Sequence, residues 1–172
     1  GEAAMSLRAL LGALANDPEG AKLLRDGGDA FVSRSLRPYA IAALLDNDAA
    51  KSAVVVAGDD NEAQALAADL GIWLAPRLVR FYPSRGVTYE SHLAPPPHLV
   101  GLRVAALDAL LDPAEGEPPV VVVSAVALSE KVPDPALRPR GFTLRKGDLI
   151  DLDEAALQLV AGGYERVSEV AE

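Results

Sequence analysis

The stretch Val120-Val121-Val122-Val123 decides the fold of this chain. Consecutive β-branched residues bounded by prolines favour a strand that is buried on both faces, and such strands lie in the middle of parallel sheets. Upstream, Ala53-Val54-Val55-Val56-Ala57 predicts a second strand that is apolar on both faces, and residues 78–82 predict a third. The sequence therefore predicts an open α/β sheet with residues 120–123 at its centre.

Helical segments alternate with these strands. Pro38 is typical of the first turn of a helix, which we place at residues 38–46. Asp59 and Asp60 are expected to cap an Ala-rich helix that ends near Gly71, and a further helix is expected at residues 99–111. A short buried strand is predicted at residues 30–33, Ala-Phe-Val-Ser. Strands and helices alternating with short loops are typical of an open, mostly parallel sheet.

The pattern changes at both ends of this α/β segment. Residues 1–28 predict a helical lead-in, with a helix capped by Ser6 and a second helix that starts at Pro18 and ends at Gly27. The α/β domain then covers residues 29–139. Residues 140–172 predict a small α+β second module: a strand at 142–145, a helix at Asp151 or Asp153 and a strand at 164–170. We expect that module to continue beyond Glu172.

Composition excludes several classes of function. The 172 residues carry 16 basic and 25 acidic side chains, a net charge of -9, which disfavours duplex nucleic acid as the main ligand. The absence of cysteine excludes disulfides and thiolate metal sites, and the spacing of His92 and His98 matches no familiar zinc pattern. No apolar stretch is long enough to span a membrane. We expect a soluble, cytoplasmic protein without a bound metal or cofactor.

The loop Ser33-Arg34-Ser35-Leu36-Arg37-Pro38 stands where a nucleotide-binding α/β domain would carry its phosphate-binding loop. Such a loop is rich in glycine and ends in lysine followed by serine or threonine. This loop has neither glycine nor lysine, and Pro38 lacks an N–H donor. The sequence therefore predicts that this chain is not an ATPase.

Other polar and aromatic residues allow two interpretations each. Ser124 is either an active-site hydroxyl or the polar exit of a buried strand, and we favour the exit. Carboxylates at the start of the last helix are either a cation site or helix caps, and we favour caps; they are Asp148, Asp151, Asp153 and Glu154. An aromatic group is expected to close the edge of an aliphatic core rather than to stack on bases; it contains Trp73, Phe81, Tyr82 and Tyr89.

Three segments together resemble a known family. They are residues 81–90, FYPSRGVTYE; residues 120–133, VVVVSAVALSEKVP; and residues 144–170, LRKGDLIDLDEAALQLVAGGYERVSEV. Their order and spacing resemble the N-terminal region of the transcription-repair coupling factor (Mfd) family, which is related to the excision-repair protein UvrB. One segment departs from the family pattern, because Ser84-Arg85-Gly86-Val87 stands where the family more often has Trp-Glu-Thr-Leu.

The resemblance implies a UvrB-like module that acts in nucleotide excision repair. It implies a motor-type (RecA-like) α/β domain that has lost its P-loop, followed by the beginning of a small domain that recruits UvrA. Tyr164 and Arg166 are the positions that the resemblance places near the UvrA-binding surface.

The family's other activities are implied to lie outside this chain. In the family, an ATP- and magnesium-dependent DNA translocase displaces RNA polymerase stalled at DNA lesions, and a separate domain binds the polymerase. This fragment would therefore be a non-catalytic interaction module that also contacts other domains of its own protein. It would reach RNA polymerase and DNA only through those domains.

A different class of function remains open. The chain could be a small cytosolic α/β enzyme or ligand-binding domain with a pocket at the carboxyl ends of its strands, near Ser33, Gly58 and Ser124. A concave polar crevice at that edge would favour this alternative. A flat or filled edge would favour the interaction module.

Overall fold

The structure is a computed structural model. It describes residues 6–86, 96–111, 116–132, 134–137, 146–147 and 149–161. The chain forms two compact units, Gly1–Glu130 and Lys131–Glu172. The lead-in therefore belongs to the same unit as the α/β segment, and the boundary predicted between residues 139 and 140 falls inside the second unit.

The first unit contains an open parallel sheet of three strands in the order β1-β3-β2. The strands are β1 (Ala53–Ala57), β2 (Val79–Tyr82) and β3 (Val120–Ser124). Val122 of β3 is in register with Val55 on one side and with Phe81 on the other. The predicted mixed α/β fold with the valine stretch as its central strand is thereby confirmed.

Helices cover both faces of β3, which explains why every residue of that strand is buried. On one face, Val120 and Val122 pack into a core with Ala42, Ala43 and Leu70. On the other face lie Tyr82, Ala106, Val121, Val123 and Ala127. The α-helices of the first unit are α1 (Pro18–Asp26), α2 (Arg37–Asn47), α3 (Asp60–Trp73), α4 (Pro97–Leu111) and α5 (Ala125–Ser129).

Most predicted helices of the first unit are present, with two differences. The first segment, Leu7–Asn16, is a 3-10 helix, and Ser6 caps it by accepting a hydrogen bond from the Arg8 N–H. Helix α3 continues through Gly71 and ends at Trp73, because Leu70 and Leu74 are both fully buried and extend the packed face. Glycine in a helix interior costs only about 1 kcal/mol relative to alanine, less than such burial contributes.

The strand predicted at residues 30–33 is wrong. Gly27 and Gly28 have positive φ angles of 67° and 115° and turn the chain after α1, and residues 27–33 form no regular structure. Phe31 is fully exposed, so the side chain that suggested a buried strand packs against no part of the sheet. Among the described residues, β1 is consequently an edge strand.

In the second unit the structure describes a 3-10 turn at Pro135–Leu137 and helix α6 (Leu152–Ala161). Asp151 accepts hydrogen bonds from the N–H groups of Asp153 and Glu154, so it is the cap of α6. The strands predicted at residues 142–145 and 164–170 lie outside the described residues. Across the described ranges, no helix is long and apolar enough to cross a membrane.

Candidate functional site

The carboxyl ends of the strands are the edge at which open α/β sheets usually bind ligands. Here β1 runs into Gly58-Asp59-Asp60, β2 into Pro83-Ser84 and β3 ends at Ser124. The pairing of the strands thus brings two carboxylates, of Asp59 and Asp60, and two hydroxyls to the same edge of the sheet.

The Asp60 carboxylate connects the ends of all three strands. Ser124 Oγ donates to Asp60 Oδ1 at 2.6 Å, and Ser84 Oγ donates to Oδ2 at 2.5 Å. The Ser84 backbone N–H also donates to Oδ2, at 3.1 Å. Ser124 Oγ in turn accepts from the Ala127 N–H at 3.1 Å and thereby caps α5.

These contacts determine the charge state of Asp60. Partial burial raises the pKa of the carboxyl group, but the hydrogen bonds from Ser124 and Ser84 and the charge of Arg103 lower it by more. The net effect is a pKa below the usual aspartate range. Because a carboxylate with a lowered pKa is a weak base, Asp60 is suited to holding the two hydroxyls rather than to removing their protons.

A second polar cluster lies beside the first and is centred on Arg103 of α4. Its Nη1 donates to the Pro83 carbonyl oxygen at 2.9 Å and to Glu130 Oε2 at 2.6 Å. The Glu130 carboxylate also accepts from the Arg85 N–H at 3.1 Å. The guanidinium carbon lies 4.4 Å from the centre of the Tyr82 ring, within cation–π range. Arg103 therefore fixes the segment that follows β2.

Tyr82 contributes its ring to this cluster. Burial raises the pKa of its phenol, and the hydroxyl has no hydrogen-bond partner among the described residues. The ring packs under the guanidinium of Arg103 and against the valines of β3.

The loop at residues 33–38 is compact. Residues Arg34–Leu36 form a 3-10 turn that leads directly into α2, with Pro38 in the first turn of that helix. Arg37 pairs with Glu62 at 3.7 Å, and Glu62 Oε2 accepts the backbone N–H of Gly58 at 3.1 Å. The Gly58 N–H, a donor at this edge, is therefore already occupied by a side chain of α3.

A groove of 590 Å³ lies elsewhere in the first unit. It is bordered by the turn after α1 and by α2, and its lining includes Leu14, Leu23, Phe31, Leu36 and Tyr39. Neither Gly58 nor Ser124 lines it, so it is not the pocket that the ligand-binding alternative expects at the carboxyl ends of the strands.

The other predicted site residues fall in separate places. Phe81 and Tyr82 are neighbours in β2 but face opposite cores, while Trp73 packs edge-to-face on Tyr39 with ring centres 5.3 Å apart. The aromatics therefore pack against aliphatic cores, as predicted, but against two cores, because adjacent strand residues point to opposite faces. His92, Tyr89, Asp148, Tyr164 and Arg166 lie outside the described residues. Within the described ranges, no three His, Asp or Glu side chains are grouped to hold a metal ion.

Sequence reasoning missed three residues that organise this edge: Asp60, Arg103 and Glu130. Asp60 was expected to act with Asp59 as a helix cap, but Asp59 alone caps α3 through the Glu62 N–H. A signal for Arg103 was present, because it is the only basic residue in the apolar stretch 99–111.

No family model matches this chain, and no curated protein or solved structure matches it either.

Proposed function

We propose that this chain is the non-catalytic, UvrB-like N-terminal module of a transcription-repair coupling factor. In this role it contributes to nucleotide excision repair by recruiting UvrA through its second module. The translocase that displaces stalled RNA polymerase belongs to other parts of such a protein. The proposal takes the α/β unit to be a motor-type, RecA-like domain without a P-loop.

The observation that carries the proposal is the hydrogen bonding among the described polar groups at the carboxyl edge of the sheet. The hydroxyls of Ser84 and Ser124 donate to Asp60, the Gly58 N–H is bound by Glu62, and Arg103 is bound by Glu130 and Pro83. Among the described residues, these polar groups at the carboxyl ends of the strands are bound to one another. This supports a domain that keeps the α/β architecture but does not bind or hydrolyse a nucleotide.

The sequence contains no G-x-x-x-x-G-K-[ST] motif, although the loop at residues 33–38 follows no strand of the described sheet. A triphosphate is normally held by successive backbone N–H groups of a glycine-rich loop and by a lysine. Here a proline opens α2, and the nearby charge of Arg37 is partly neutralised by Glu62. The order of the three family-like segments along the chain then favours the coupling-factor family over a ligand-binding domain.

Titration with ATP and magnesium tests the non-catalytic character of the module. Isothermal titration calorimetry is expected to show no saturable heat, because the chain has no phosphate-binding loop. A variant with a glycine-rich loop at residues 33–38 would not serve as a positive control, because Glu62 and Asp60 would still bind the polar groups at the carboxyl edge. A known P-loop ATPase titrated under the same conditions is the appropriate positive control. Micromolar, magnesium-dependent binding by the present chain would contradict the proposal.

A further inference from the structure

Within the part of the chain that the structure describes, strand β1 has an unpaired edge and a half-exposed apolar face. Among the described residues its sheet partner is β3 alone. Val54 and Val56 are 54% and 51% exposed, whereas Val121 and Val123 on the same face of β3 are covered by α4 and α5. Edge strands are usually protected by a charge, a proline or a covering element. The sequence Ala-Val-Val-Val-Ala of β1 contains neither a charge nor a proline.

The free backbone groups of this edge belong to Val54 and Val56. The Ala53 N–H donates to the Pro119 carbonyl oxygen at 3.2 Å, so Ala53 directs its peptide groups toward β3. Successive residues of a strand direct these groups to opposite sides. Val55 therefore also turns toward β3, while Val54 and Val56 present their N–H and C=O groups to the open edge.

The sequence around β1 is complementary to itself when it is read in the antiparallel direction. The segment is Lys51-Ser52-Ala53-Val54-Val55-Val56-Ala57-Gly58-Asp59. A two-fold axis at Val55 sets Val54 of one copy opposite Val56 of the other, and it brings Lys51 of one copy close to Asp59 of the other. The central residues match in size, and Lys51 and Asp59 at the two ends have opposite charges, with Lys51 also paired with Asp48 of its own copy at 2.8 Å.

The hydrogen bonding agrees with this alignment. In an antiparallel pair, directly opposite residues either exchange two hydrogen bonds or exchange none, in alternation. Val54 and Val56 both face outward, so they form the hydrogen-bonded pairs, and Val55 forms the non-bonded pair on the axis. Directly opposite side chains share a face, so the exposed valines of the two copies would pack together.

We propose that a second copy of this chain binds along β1, antiparallel and about a two-fold axis, and extends the sheet across both copies. The contact is one strand long and therefore at the weak end of the range for protein interfaces. Ends of opposite charge set the register and make the association sensitive to salt. This inference is independent of the proposed role in repair.

Analytical ultracentrifugation of the whole chain at increasing concentration tests the proposal. Between about 10 μM and about 1 mM the weight-average sedimentation coefficient is expected to rise from monomer toward dimer, as for a weak interface. The double variant Val54→Lys and Val56→Lys is expected to remain monomeric throughout, because it places like charges opposite each other at the edge. Both positions are half-exposed, so circular dichroism should show an intact fold.

Two further variants make the result specific. Val104→Lys adds a charge at a similarly exposed valine on α4, 47% exposed, and is expected to associate as the unmodified chain does. Lys51→Glu sets acidic groups near each other at both ends and is expected to weaken association about fivefold. A chain that stays monomeric at every concentration overturns the proposal. This holds even if the monomer pairs its β1 edge with a strand of a different protein. Undiminished association of the double variant overturns it as well.

Discussion

Asp60 lies directly after the helix cap Asp59, and the two neighbouring aspartates have different tasks. Asp59 Oδ1 accepts the Glu62 N–H at 2.8 Å and begins α3. Asp60 instead accepts hydrogen bonds from residues 24 and 64 positions further along the chain. Ser124 is completely buried, so its hydroxyl depends on this carboxylate for an acceptor. A single residue therefore links the ends of the three strands.

Replacing Asp60 by alanine is expected to lower the free energy of unfolding by about 2 kcal/mol, because it leaves the Ser124 hydroxyl without its acceptor. Urea unfolding followed by circular dichroism measures this change. Asp59→Asn is the matched control, since an asparagine side chain still accepts the Glu62 N–H, and it should change stability by less than about 0.5 kcal/mol. Equal effects of the two variants would contradict the assigned roles.

The effect of Asp60 also depends on pH. Its pKa is lowered in the folded chain, so its stabilising contribution is present above the ordinary aspartate pKa of about 4. The contribution is lost as the pH falls through the lower folded value. The stability difference between the original chain and Asp60→Ala should therefore shrink in acid. A difference that stays constant from neutral pH into acid would contradict the lowered pKa.

At the scale of the elements, Arg77 connects the segments at the amino ends of the three strands. Its three guanidinium nitrogens donate to the carbonyl oxygens of Pro118, Leu45 and Lys51 at 2.8, 2.8 and 2.6 Å. These carbonyls lie before β3, in α2 and before β1. Burial lowers the pKa of Arg77, but backbone oxygens satisfy its donors. Arg8 reinforces the same segments through Asp46 and Glu117.

Arg77→Met is expected to lower the free energy of unfolding by about 3 kcal/mol, because it leaves buried carbonyl oxygens unsatisfied. Denaturant unfolding measures the change. Arg80→Met is the matched control on β2, since Arg80 is exposed, and it should shift stability by no more than about 0.5 kcal/mol. A loss at Arg77 no larger than at Arg80 would show that the carbonyl contacts do not stabilise the sheet.

Local sequence predicted the elements whose signals are themselves local. The valine stretch predicted β3, the Asp17-Pro18 pair and Gly27 predicted the bounds of α1, and Asp59 predicted the cap of α3. The strand at residues 30–33 failed because its only evidence was apolar composition, and the structure leaves Phe31 exposed. Whether a short apolar segment joins a sheet depends on tertiary partners that composition does not encode.

The hydrogen bonds at the carboxyl edge of the sheet could not be predicted from local sequence. Asp60, Ser84 and Ser124 are far apart in sequence, and each has a common local role as a cap, a turn residue or a strand exit. Only the pairing of β1, β2 and β3 brings them together.

At the scale of the whole molecule, the α/β unit ends at Glu130 and a second compact unit begins at Lys131. In the first unit, Ser84 and Ser124 at the carboxyl ends of the strands donate hydrogen bonds to Asp60. The proposed contact with UvrA belongs to the second unit, where the family resemblance places Tyr164 and Arg166.

The most direct measurement is the affinity of purified UvrA for this chain, determined by surface plasmon resonance. The account predicts saturable binding by the folded chain. It also predicts about tenfold weaker binding after Arg166→Glu, because an interface arginine is a common energetic anchor. Lys22→Glu in α1 serves as the charge-matched control and should leave the affinity unchanged. Absence of saturable UvrA binding by the folded chain would contradict the account.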